Sequence, residues 1–100
     1  MLTLCLLLAS LPARAGQDQD QFGNEYPAEC GREALANVYL RVFYRPASFF
    51  LRATRVEDRV GVLAPTGVAI LRDDLVEGSE RWLDVVRHET CHKVAGAWHG

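Results

Sequence analysis

From Val38 the chain alternates with a period of two, placing Val38, Leu40, Val42 and Tyr44 on one side and Tyr39, Arg41, Phe43 and Arg45 on the other. This pattern predicts a half-buried strand, ended by Pro46. Two further short apolar runs, Arg59 to Ala64 and Val68 to Arg72, flank Pro65-Thr66-Gly67. A fixed φ followed by a residue free to take positive φ predicts a β-hairpin there. Residues 48–56 fit either a helix opened by Pro46 or a strand rich in aromatic and β-branched side chains. After Asp73-Asp74 and Gly78-Ser79 the period lengthens to that of a helix. Ser79 is its N-cap, Glu80 lies in its first turn, Lys93 in its last, and Gly96 stops it. A short helical turn at Glu33 to Asn37 completes the pattern. The fold expected is α+β without internal repeats, a small antiparallel sheet (strand plus hairpin) packed on the C-terminal helix.

The first residues follow a different logic. Met1 to Leu11 carry no charged side chain, and Pro12 and the small-x-small triplet Ala13-Arg14-Ala15 follow. Such a run is too short to cross about 30 Å of hydrocarbon as a helix, and its layout is that of a secretory signal, although no Lys or Arg precedes the apolar stretch. The organisation expected is a signal peptide at 1–15, a polar acidic linker at 16–30 (Asp18, Asp20, Glu25, Glu29) and a folded domain at 31–100. The mature protein is then exported, periplasmic or secreted, with no stable membrane insertion after cleavage. Cys5 lies outside any Leu-small-small-Cys box, so a lipid anchor is not supported.

Composition narrows the class. With 49% hydrophobic residues and a net charge of -2, the chain is neither a disordered tail nor a protein built to neutralise phosphates. Nucleic acid is not an expected partner. The mature domain is small enough to be marginal without a staple. Cys30 and Cys91 are either such a staple, a disulfide formed in an oxidising compartment, or two separate buried thiols. A bridge closing a loop of about 60 residues contributes roughly 4 kcal/mol on chain entropy. Arg41, Arg45, Arg52, Arg55 and Arg59 either mark an anionic ligand or polymer, or line the solvated side of strands and blunt sheet edges, the reading favoured by common edge chemistry.

The chemistry concentrates at the end of the chain. All three histidines, His88, His92 and His99, lie in its last thirteen residues, and the first two frame His88-Glu89-Thr90-Cys91-His92, an H-E-x-x-H motif. At about 100° per residue, positions four apart are about 40° apart and one turn removed, so both imidazoles point at a common ion. Glu89 falls aside, where its carboxylate reaches a water without occupying a ligand position. Val86, Trp82, Thr90, Leu83 and Val94 gather opposite the histidines as the expected core face. Two histidines do not hold a catalytic zinc alone. His99 is the expected third ligand, returned by the turn at Gly96. Cys91 could be a soft ligand, but its angular position suits a disulfide better. Asp84, one turn before His88, either orients that imidazole or pairs with Arg87.

The run His88 to His99 resembles the metzincin pattern H-E-x-x-H-x-x-G-x-x-H, with three residues instead of two between His92 and Gly96 and without that family's Met-turn. It is more similar to short exported or phage-borne bacterial proteins that look like minimal zincin-type peptidases ending in H-E-x-C-H, a glycine and a Trp-His pair. This second resemblance covers residues 68–100 most tightly, including Arg72-Asp73-Asp74-Leu75 and Val86-Arg87-His88. It implies a zincin-like metal-binding domain at 31–100 and a metallopeptidase of undefined substrate. The expectation is thus a zinc-dependent hydrolase acting on a peptide or protein, with Zn²⁺ on His88, His92 and His99 and Glu89 as general base. A non-catalytic zinc-stabilised binding module and an inactive peptidase relative are the alternatives.

Overall fold

The computed structural model describes residues 18–54 and 59–99. The expected signal peptide lies outside the described residues, as does Arg55. After a single 3₁₀ turn at Ala28–Cys30, the elements are α1 (Arg32–Leu35), β1 (Arg41–Arg45), α2 (Ala47–Thr54), β2 (Gly61–Leu63), β3 (Val68–Arg72) and α3 (Glu80–Ala95). The described part of the ambiguous 48–56 stretch is therefore helical. Pro46, which cannot donate to a strand ladder, ends β1, and its carbonyl accepts from the Phe49 N–H in the first turn of α2.

β2 and β3 form the expected hairpin, with Val62 opposite Ile70 and Leu63 opposite Ala69. Gly67 takes φ 87° in the connecting turn. β1 joins the other side of β3, but in parallel, with Val42 beside Ala69 and Tyr44 beside Leu71. The sheet is thus mixed, in the order β1-β3-β2, and not wholly antiparallel. The four residues between Leu63 and Val68 are too few for anything but antiparallel pairing, whereas the connection from β1 to β3 is long and includes a helix, which permits the parallel one. Alternation along β1 reports that a strand exists and says nothing of its direction.

α3 is capped as expected. The Ser79 hydroxyl accepts from the Trp82 N–H at 3.2 Å, and Gly96 closes the helix at φ 68°. Its packing differs from the face drawn on the sequence. Val85 is buried with Val60, Ala69, Leu71 and Leu75, and Trp82 and Val86 pack at the edge of that cluster. Leu83 and Val94, expected in the core, are 53% and 42% exposed. The cause is a second contact on another side of the helix. Tyr26, Cys30 and Cys91 form a separate buried cluster, flanked by Leu35, Ala95 and Trp98. Cys30 and Cys91 are joined as a disulfide with Cα atoms 5.4 Å apart.

The polar segment expected as a linker is thus, from Asp18 onward, part of the packed body. The Tyr26 ring lies between the Arg87 guanidinium, 3.8 Å from its centroid, and the stacked Trp98 ring at 5.0 Å. The Tyr26 hydroxyl donates to Asp84, and Arg87 makes a two-pronged ion pair with Asp18. α3 is held by the sheet on one side and by residues 18–30 on another, and its histidines lie in the seam between them. Among the described residues no helix is long and apolar enough to cross a membrane.

Candidate metal centre

Helical spacing brings His88 and His92 together, and the turn at Gly96 brings back His99. The three Nε2 atoms form a triangle with sides of 3.2 Å (His88–His92), 2.8 Å (His92–His99) and 3.0 Å (His88–His99). Gly96 takes a positive φ that side chains rarely adopt, and its N–H donates to the His92 carbonyl. Trp98 then packs behind the triangle, its ring centroid 5.2 Å from His88 and 4.6 Å from His99. These three residues could hold one metal ion.

Hydrogen bonds on the far side of two rings decide which nitrogen faces inward. His88 Nδ1 lies 2.9 Å from Asp20 Oδ2, and His92 Nδ1 lies 2.7 Å from the Gly96 carbonyl. A carbonyl only accepts, and so does an ionised carboxylate, so both Nδ1 atoms carry the proton. In the neutral rings the two Nε2 atoms then confront each other, lone pair toward lone pair, at 3.2 Å. Burial holds the His88 pKa below its ordinary value against the pull of Asp20, which keeps that ring neutral near pH 7. A cation shared by these two nitrogens and His99 Nε2 removes the repulsion. Nitrogens bound at about 2.0–2.1 Å around a tetrahedral ion are about 3.3 Å apart, slightly wider than the 2.8–3.2 Å of the triangle.

Asp20 is the residue sequence reasoning missed. Its side chain is completely buried, and it accepts from the backbone N–H groups of Phe22 and Asn24, the Asn24 amide and His88. Burial alone would raise the carboxyl's pKa, but these hydrogen bonds outweigh it and hold Asp20 below the usual carboxylate value. The same carboxylate thus orders the loop 20–24 and orients a ring of the triangle. Asp84, for which that role is one of two readings of the sequence, accepts instead from the Tyr26 hydroxyl and the Gln21 N–H. Its alternative partner Arg87 is engaged with Asp18. Only the turn signature Asp20-Gln21-Phe22-Gly23-Asn24, with Gly23 at φ 85°, hinted at an ordered loop.

Glu89 is 5% exposed and lines the clefts on both sides of His88. Burial pushes its pKa up to about 7, partly offset by the positive charge of Arg59. β2 passes close over it, since a Cβ at Gly61 would lie 2.9 Å from Val85 Cγ1 and 3.1 Å from Glu89 Oε2. Only glycine fits there without moving one of them. One cleft, of about 240 Å³, is lined by Phe22, Asn24, Gly61, Glu89 and His99 among others; the second runs along Val62 to Pro65 beside His92. Cys91, buried and bonded to Cys30, is excluded as a ligand. No family model, curated protein or solved structure matches this chain.

Proposed function

We propose that this chain is a small exported zinc-dependent peptidase, a minimal relative of the zincins. The observation that carries the reading is the convergence of three Nε2 atoms on one point, with two Nδ1–H groups turned outward and a buried carboxyl alongside. A structural zinc site is closed by four protein ligands, whereas catalytic sites use three and leave a position open. Three histidines converge here at the edge of a cleft, which favours hydrolysis over a purely structural role.

A bound zinc would supply Lewis acidity, making a water acidic near neutral pH and polarising the scissile carbonyl. Glu89, whose pKa burial raises to about 7, is suited to take a proton from the attacking water and hand it to the leaving amine. Gly61 keeps β2 close enough to shield this carboxyl. β2 lies at the edge of the sheet and its residues line the second cleft, so an extended peptide could pair along it. The Cys30–Cys91 disulfide supports an oxidising compartment, in keeping with export.

The test is zinc analysis of the purified protein with digestion of a broad peptide library. Glu89→Gln is expected to abolish turnover and keep zinc, and surviving activity would remove Glu89 from its role. His99→Ala is expected to lower zinc content; unchanged stoichiometry would place the third ligand elsewhere.

A further inference from the structure

The structure separates the arginines that sequence grouped together. Arg41 lies over the Phe43 ring at 5.1 Å, and Arg45 donates to the Tyr44 carbonyl at 2.8 Å. Arg52 is exposed on α2. These are solvated or locally engaged side chains, as edge chemistry leads one to expect. Arg59 differs. It stands just before β2 and lines both clefts, each time with His88 and Glu89.

The other charged groups lining the two clefts are Glu89 and Lys93, among the described residues. Lys93 donates its ammonium to the Tyr39 carbonyl. Among the described residues, no hydrogen bond or ion pair engages the guanidinium of Arg59. A planar five-donor cation at the mouth of a cleft, with no hydrogen-bond acceptor among the described residues, matches the two oxygens of a carboxylate.

We propose that Arg59 is the anion-recognition residue of the cleft, and that the preferred substrate carries a carboxylate beside the group presented to the histidines. This rests on the peptidase reading for its substrate class, whereas the anion site itself does not require catalysis. Two peptide sources share this chemistry, an acidic side chain and a free C-terminus.

The experiment titrates the full chain with succinate, with and without bound Co²⁺, following the arginine Nε–H signals by NMR, with Arg59→Gln assigning the Arg59 signal. Arg59 is expected to saturate at a succinate concentration roughly 10- to 100-fold lower than the other arginines, the range of a charge-assisted hydrogen bond. Arg59→Gln is expected to leave Co²⁺ affinity unchanged. If Arg59 responds no more strongly than Arg41 or Arg45, the proposal is wrong. If Arg59 responds but the chain binds no metal, the anion site stands and the peptidase reading falls. Paired peptides, Glu against Gln near the cleaved bond and free acid against C-terminal amide, then identify the carboxylate's source. A loss of rate on Arg59→Gln confined to the acidic member of a pair supports the proposal, and equal loss on both members overturns it.

Discussion

On one side of α3 the hairpin buries Ala69 and Leu71 against Val85, an apolar contact with a hydrogen bond from Trp82 to the Tyr44 hydroxyl between the helix and β1. On the other side, residues 18–30 bring Asp18, Asp20, Tyr26 and Cys30, held by ion pairs, hydrogen bonds, ring stacking and one covalent bond. The first contact is non-directional and scales with area, so it stabilises the helix without specifying any ring orientation. The second is directional, and it alone reaches His88 through Asp20. Both flanks of the helix therefore contribute stability, but only the directional one sets the orientation of a histidine.

The largest expected effect comes from cutting the covalent tie. Cys30→Ala with Cys91→Ala should lower unfolding free energy by about 4 kcal/mol in urea denaturation, since the loop it closes is long. It should also weaken metal binding, because the segment carrying Asp20 is no longer anchored. A variant that binds metal as tightly as the wild type would separate the disulfide from the site.

Next comes the apolar flank. Leu71→Ala should destabilise the protein by about 2–5 kcal/mol through lost burial and a residual cavity. Metal affinity measured on the folded protein should hardly change, and a large loss there would contradict the division between flanks.

Asp20→Asn should show the reverse. Metal affinity should fall roughly 10- to 100-fold, the usual effect of removing a carboxylate partner from a ligating histidine, with a smaller change in stability. Asp84→Asn is the control, since Asp84 bonds Tyr26 and Gln21 and not a histidine. Competition with a chelator measures both, and equal losses would return Asp84 to the role first expected of it.

The smallest effect concerns Asp18. Its hydrogen bond and ion pair with Arg87 hold the carboxyl below its ordinary value. A folded-state pKa below the unfolded one means that this contribution is complete above the unfolded value and is lost as pH falls through the folded one. Asp18→Asn should therefore slightly flatten the acid limb of the stability curve and leave neutral stability a little lower. An unchanged acid limb would show that this pair, with Asp18 half-exposed, contributes nothing measurable.

Much of this was legible in the chain. The N-cap at Ser79, the stop at Gly96 and the hairpin turn at Gly67 each follow from the backbone preferences of a few neighbouring residues. So does the shared direction of His88 and His92, which helical geometry imposes. A motif confined to one turn of helix needs no tertiary contact to be read.

Other features were decided by pairings far apart in sequence. Asp20 meets His88 across 68 residues, and Arg87 meets Asp18 across 69. Whether Asp84 or Asp20 holds the ring depends on which loop lands beside the helix, and local propensity carries no record of that. The parallel placement of β1, the exposure of Leu83 and Val94, and the singling out of Arg59 among the arginines have the same origin. Sequence by itself determined the helix and the aim of two of its histidines, because both obey the period of the backbone. Tertiary structure alone decided what stands behind those rings and what faces them, because long-range contacts form only where the whole chain closes on itself.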